Sequence, residues 1–167
     1  MRVKKNNIET FFALMRAGLF PVHGSQFTVN GFDLVDWGEV YRLAEEQSVV
    51  GLIADAIDRF KVQDSRFKVP QEWALQFVGQ TLQLEQRNKA MNVFIADLVE
   101  EMRKAGIYTL LLKGQGVAQC YERPLWRACG DVDFFLSEEN YAKAKEYLLP
   151  LASSVEPEGG YNKHQGM

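Results

Sequence analysis

The sequence predicts an α+β protein in which a helical N-terminal region precedes a small mixed sheet. Over residues 1–105 the apolar residues recur mainly at the three- and four-residue spacing of helices. After Gly106 two short apolar runs, residues 107–112 and 131–136, alternate with helix-like segments, which is the pattern of strands packed beside helices. We therefore predict a helical region over residues 1–105 and an α/β core over residues 106–167.

Capping residues, proline and glycine divide the N-terminal region into helices. Asp36 followed by Glu39 is typical of a helix N-terminus, and the helical spacing after it is interrupted near Ser48. Pro70 and Gly106 enclose a segment that predicts one long helix. Its apolar stripe is expected to pack into the core and consists of Trp73, Phe77, Leu84, Met91, Phe94, Leu98 and Met102.

Composition and charge exclude several classes of protein. Hydrophobic residues make up 47% of the 167 residues and the net charge is -3, so a dedicated binder of duplex DNA is not expected. Cys120 and Cys129 form neither a disulfide framework nor a Cys-x-x-Cys metal site. The basic and apolar N-terminus is interrupted by Arg16, and no apolar run reaches the roughly 18 residues that a membrane span needs. We expect a cytoplasmic protein that does not bind membranes.

Asp131 and Asp133 are the leading candidates for a metal site. Side chains alternate between the two faces of a strand, so these carboxylates are expected to point the same way. Their repulsion is removed by a cation between them. Mg²⁺, or Mn²⁺ in its place, prefers such oxygen ligands and completes its shell with water and substrate phosphates. A simple turn after Gly130 explains the same residues without a function.

Gly114, Gln115 and Gly116 form a second candidate site. They lie between the end of a predicted strand and the start of a helix, where free backbone N–H groups and the helix dipole hold phosphate. When these glycines are considered alone, an ordinary tight turn is the better explanation.

Residues 87–149 resemble the uncharacterised nucleotidyltransferase-like family of the DNA-polymerase-beta-like superfamily. The ordered features that carry the resemblance are Asn88 near the start of a helix, a strand into Lys113-Gly114, Tyr121, Arg127, and Asp131 with Asp133. The resemblance implies that the glycine turn holds a nucleoside triphosphate and that the aspartates bind two divalent ions. An acceptor hydroxyl of unknown identity would attack the α-phosphate, and pyrophosphate would leave.

The same resemblance implies roles for two cations. Lys113 and Arg127 are expected to neutralise phosphate charge, Arg127 with bidentate geometry. An ion pair that orients an aspartate is an equally good expectation for Arg127. The superfamily usually has Gly-Ser at the phosphate turn, whereas this chain has Gly114-Gln115, where backbone amides can do the same work.

The core is expected to be incomplete at its C-terminal end. Active members of the superfamily use a third carboxylate on a following strand, and no such strand is evident before Met167. Glu156 and Glu158 lie in a stretch rich in proline and glycine and are poor substitutes, and His164 resembles a histidine of the family. We therefore expect weak metal binding and slow or absent transfer.

Two other functions fit these residues. Nucleotide-sugar glycosyltransferases also hold a divalent ion with Asp-x-Asp, although they normally have a larger nucleotide-binding domain. A non-catalytic module that binds nucleotide or a partner protein is favoured by the missing third carboxylate. In every case the helical region is expected to pack beside the sheet and to contribute no catalytic group.

Overall fold

Helices dominate the part of the chain that the structure describes. The computed structural model describes residues 2–20, 34–63 and 67–151. The elements in chain order are α1 (Arg2–Leu19), α2 (Trp37–Glu46), α3 (Val50–Gln63), α4 (Gln71–Lys104), β1 (Leu110–Leu112), α5 (Gly114–Ala118), β2 (Asp133–Phe135) and α6 (Glu138–Leu148). Short 3-10 turns occupy Pro124–Trp126 and Leu149–Leu151. None of the described helices is both long and apolar enough to cross a lipid bilayer.

Local capping signals fix the start of α2, as the Asp36–Glu39 pattern predicts, and the start of α6. Asp36 is the N-cap of α2, and its carboxylate accepts a hydrogen bond from the backbone N–H of Glu39 at 3.2 Å. The helical conformation is interrupted between α2 and α3 at Ser48, which has a φ of 55°. Ser137 caps α6 by accepting from the N–H of Asn140. Each cap supplies an acceptor for an N–H group that the first helical turn leaves unpaired.

Helix α4 runs through two hydrophobic clusters and thereby links the helical region to the sheet. Near its start, Phe77 belongs to a cluster with α1, α2 and α3, where its ring meets that of Tyr41 edge-on at 5.0 Å. Near its end, Met102 packs with Ile107 and with Ala144 of α6. The buried positions Thr81, Asn88, Ile95 and Met102 are seven residues apart. A seven-residue step returns to nearly the same side of a helix, so α4 has one continuous buried line.

The predicted apolar stripe of α4 is right at its ends and wrong at Phe94. Phe77 and Met102 are buried, but Phe94 is 57% exposed while the neighbouring Ile95 is buried. Two positions of the true buried line carry the polar residues Thr81 and Asn88. A prediction from hydrophobicity alone therefore selects residues that lie beside the buried line of α4 and misses the polar residues on it.

The sheet is an antiparallel pair of short strands. Leu110 lies opposite Phe135, and Leu112 lies opposite Asp133. One face packs on the second cluster through Phe134. The other face is open, since Leu110 and Phe135 are each 61% exposed. The predicted α+β class is confirmed, and within the described residues the sheet contains no parallel pair.

The connection between α5 and β2 packs tightly on the helical region. A Cβ atom on Gly51 of α3 would lie 1.9 Å from the carbonyl oxygen of Trp126, so only glycine fits there. The Trp126 indole donates to Glu85 of α4 at 3.2 Å. The Arg123 guanidinium lies 4.1 Å from the centre of the Trp126 ring and 3.0 Å from the buried carboxylate of Asp55. Helices α3 and α4 therefore fix the position of this connection. The predicted division of the chain into two regions at residue 105 stays a prediction.

Candidate functional site

Lys113 and Asp133 lie side by side at the end of the two-stranded ladder. The last pair of the ladder is Leu112 with Asp133, so the chain leaves β1 beside that carboxylate. The ammonium nitrogen of Lys113 is 3.4 Å from Oδ2 of Asp133. Their side chains are 75% and 37% exposed, so water screens the pair and its contribution to stability is at most about 1 kcal/mol. Both charges remain accessible to a ligand.

The backbone at Lys113 is strained. Its φ of 48° and ψ of -145° lie in a region that side chains disfavour, and the φ of Gly114 is also positive at 32°. Holding a residue other than glycine in such a region costs about 1–3 kcal/mol. This conformation turns the chain directly from β1 into α5. Strain of this kind is concentrated at ligand-binding sites in proteins, which makes Lys113 a functional candidate on physical grounds.

The glycine turn touches the segment that leads into β2. A Cβ atom on Gly114 would lie 2.7 Å from Sγ of Cys129 and 3.2 Å from the carbonyl oxygen of Asp131. The buried Cys129 thiol donates to the same carbonyl oxygen at 3.1 Å. The structure therefore brings the backbone of Asp131 against the turn.

The strand that carries the aspartates is shorter than predicted. It begins at Asp133, so Asp131 precedes it. The ladder stops there because Lys113 turns away from the sheet and leaves Val132 and Asp131 without a partner strand. Alternation of side chains holds within a strand and does not fix the direction of Asp131. A shared orientation of the two carboxylates stays a prediction.

The Arg127 guanidinium also contacts the glycine turn. Its Nη1 donates to the carbonyl oxygen of Gly114 at 3.1 Å and to that of Ala128 at 3.2 Å. The other expectation for Arg127 is an ion pair with an aspartate. Within the described residues its guanidinium meets these carbonyl oxygens instead. A guanidinium has five N–H donors, so donors remain for a phosphate beside the turn.

The side chain of Gln115 points away from the turn and into the protein. It is 4% exposed, and its Nε2 donates to Oδ1 of Asn88 at 2.8 Å. The Gln115 side chain is therefore not available to a ligand. In the sequence, Asn88 stands out only as one of the features that carry the family resemblance, and no structural role follows from it. The signal that points to its role is a polar residue on the buried line of α4.

The donor set fits part of a magnesium shell. The described residues contain no group of three His, Cys, Asp or Glu side chains that could hold a metal ion. Mg²⁺ is often bound by one or two carboxylates, with water and substrate phosphates as the other ligands. Asp133, together with Asp131 if its side chain turns the same way, suits that role. Glu156, Glu158 and His164 lie outside the described residues.

Comparison with known proteins identifies the family. The model of a family described as "Uncharacterised nucleotidyltransferase" matches residues 33–166. The chain belongs to this uncharacterised nucleotidyltransferase family. Membership implies nucleotidyl transfer as the general activity and a nucleoside triphosphate as substrate, and it confirms the resemblance seen in the sequence. No curated protein and no solved structure gives a significant match to the chain.

Proposed function

We propose that the protein binds a nucleoside triphosphate together with a divalent ion and slowly transfers the nucleoside monophosphate to an acceptor hydroxyl. The triphosphate lies beside the Gly114–Gly116 turn, between Lys113 and Arg127. The new bond joins the acceptor oxygen to the α-phosphorus, the bond to pyrophosphate breaks, and the hydroxyl proton passes to water. The acceptor is not duplex DNA, and the reaction takes place in the cytoplasm.

The observation that supports this proposal best is the contact between Lys113 and Asp133. It joins the residue before the glycine turn to the second aspartate of the Asp-x-Asp motif, with 3.4 Å between the charged atoms. The two motifs are 20 residues apart in sequence, and the short ladder brings them together. A cation and a carboxylate at one open site suit a ligand that carries both phosphate and metal.

Asp131 and Asp133 are the residues that would hold Mg²⁺ or Mn²⁺. When bound, such an ion supplies positive charge to the attacking and leaving oxygens of the phosphoryl group. Lys113 balances the Asp133 charge in the free protein and is available to the phosphates when a metal takes that carboxylate. Arg127 neutralises phosphate charge beside the turn, because the planar fork of its guanidinium suits phosphate oxygens.

Nucleotide binding and transfer can be tested separately. Calorimetric titration with ATP and Mg²⁺ measures binding, and pyrophosphate release with a panel of hydroxyl compounds measures transfer. We expect binding that is weakened at least about tenfold, or roughly 1.4 kcal/mol, by Asp133→Asn. Glu139→Gln is the matched control, because Glu139 is an exposed carboxylate of α6 that pairs with Lys143. It should leave binding unchanged.

The outcomes distinguish the functions that the sequence leaves open. Metal-dependent binding with pyrophosphate release supports the transferase. Binding without turnover favours a non-catalytic nucleotide-binding module. Release of nucleoside diphosphate from a nucleotide sugar favours a glycosyltransferase. Absence of metal-dependent nucleotide binding by the wild-type protein, tested with all four ribonucleotides, would overturn the proposal.

A further inference from the structure

The fully buried Asn88 connects α4 to both sides of the proposed nucleotide site. Its Nδ2 donates to the carbonyl oxygen of Leu125 at 2.7 Å and to that of Arg127 at 2.8 Å. Its Oδ1 accepts from Nε2 of Gln115 at 2.8 Å. A side-chain amide has two N–H donors and one carbonyl acceptor. All three groups of Asn88 are therefore used.

These partners determine both the orientation of the amide and the residue type. Carbonyl oxygens only accept, so the NH₂ group of Asn88 must face Leu125 and Arg127. Aspartate has no donor for them, leucine has neither donor nor acceptor, and glutamine is one methylene group longer. No other side chain of this size satisfies the three partners at once.

The segments that Asn88 joins carry the proposed phosphate contacts. Gln115 lies in the middle of the Gly114–Gly116 turn, and Arg127 carries the guanidinium. The Arg127 residue is held at both ends, since its main-chain carbonyl accepts from Asn88 and its guanidinium donates to Gly114 at 3.1 Å. Helix α4, the turn and Arg127 thus form a closed ring of hydrogen bonds.

We propose that Asn88 is a positioning residue that sets the separation between the glycine turn and the Arg127 guanidinium for triphosphate binding. This inference rests on the proposed function. Asn88 does not touch the nucleotide. Loss of the Asn88 amide removes the donor to the two carbonyl oxygens and leaves the Gln115 amide with only the Met91 sulfur at 3.8 Å. The chain between α5 and β2 must then shift so that water can reach these groups. Such a shift separates the glycine turn from the Arg127 guanidinium, which must contact the same phosphates. Phosphate recognition depends strongly on groups that are held in position before the ligand binds.

The test compares two nucleotides that differ only in their phosphates. Titration with Mg²⁺ and either ATP or AMP gives the ratio of the two affinities. Asn88→Leu should weaken ATP binding at least about tenfold and AMP binding less than about threefold. Ile95→Ala is the matched control, because Ile95 lies two turns further along the same buried line. It should lower the melting temperature and leave the ratio unchanged, which separates positioning from simple loss of stability.

A second variant and a spectroscopic measurement keep the test decisive if Asn88→Leu does not fold. Gln115→Met removes the bond to Oδ1 of Asn88, together with the weaker bond from Nε2 to the Met91 sulfur at 3.8 Å, and should lower the ATP to AMP ratio by a smaller factor. The Nε–H resonance of Arg127 should shift in the same variant without any ligand. Wild-type binding of Mg·ATP with unchanged ratios in the variants would overturn this inference alone. Failure of the wild-type protein to bind would overturn the proposed function and the inference together.

Discussion

The ammonium of Lys113 reaches the carboxylate of Asp133 from a backbone conformation that glycine would adopt more easily. The two charged atoms are 3.4 Å apart, and the φ of Lys113 is 48°. The exposed ion pair contributes little to stability, so it does not offset the strain. The surrounding ladder and α5 hold the conformation instead. Lysine at position 113 makes the protein less stable than glycine would. We therefore infer that its ammonium charge is needed for function.

Substitution of Lys113 separates strain from charge. Lys113→Gly and Lys113→Ala both remove the ammonium, but only glycine relieves the backbone. Relief of about 1–3 kcal/mol exceeds the entropy that glycine costs, so Lys113→Gly should be more stable than Lys113→Ala by about 1–2 kcal/mol. Urea denaturation measures the difference. Both variants should bind Mg·ATP more weakly than the wild-type protein, and an alanine variant as stable as the glycine variant would show that the backbone is unstrained.

Gly114→Ala should destabilise the protein by about 2–4 kcal/mol, because the new methyl group meets Cys129 in a backbone conformation with positive φ. The clash distance from that Cβ to Sγ is 2.7 Å. In a Cys129→Ala background the same change should cost about 1 kcal/mol less, since the sulfur is gone. The free energies of unfolding of the wild type, the two single variants and the double variant form a double-mutant cycle. The cycle gives the coupling energy between positions 114 and 129.

Gly79→Ala is the control for that experiment. Gly79 lies inside α4, and a Cβ atom there would have no neighbour within 4 Å. The substitution should stabilise the protein by about 0.5–1 kcal/mol through helix propensity alone. If Gly114→Ala were as well tolerated as Gly79→Ala, the close approach of the turn to Cys129 would be wrong.

Two aspartates of α3 pair with Arg123 and should differ widely in their importance. Asp55 has a side chain that is 6% exposed and also pairs with Arg59, whereas Asp58 is 61% exposed. Asp55→Ala leaves two guanidinium groups without their buried partner and should cost about 2–4 kcal/mol. Asp58→Ala should cost less than about 0.5 kcal/mol. Equal costs in thermal unfolding would contradict the burial of this network.

The parts of the fold that can be predicted from the sequence are those that depend on residues close to each other in the chain. Asp36 and Ser137 cap helices because their carboxylate and hydroxyl meet N–H groups three residues away. The strand into Lys113-Gly114 is a continuous apolar run followed by a glycine turn, and both features are local. The resemblance implies that the glycine turn and the two aspartates serve one site. The backbone of Asp131 lies against Gly114, and a shared site of the side chains stays a prediction.

The parts that do not follow depend on partners far away in the chain. Asn88 is polar on a buried helix line, but its partners are 27 to 39 residues away, and spacing alone does not identify them. The early end of the ladder depends on the dihedral angles of Lys113, which its residue type disfavours. The inward direction of Gln115 likewise results from Asn88 and not from its own neighbours.

The stability of the contact between Trp126 and Glu85 should depend on pH. Lys89 and, to a smaller extent, the Trp126 indole donate hydrogen bonds to Glu85 and hold the pKa of its carboxyl below the ordinary value of 4.5. A folded-state pKa below the unfolded one stabilises the protein above pH 4.5 and loses that contribution as the pH falls through the lowered pKa. Glu85→Gln should therefore lower the melting temperature at neutral pH and have progressively less effect below pH 4.5. Repeating the comparison with Lys89→Met, which removes the larger cause, should abolish most of the pH dependence, and a difference between wild type and Glu85→Gln that stays constant in acid would contradict the assignment.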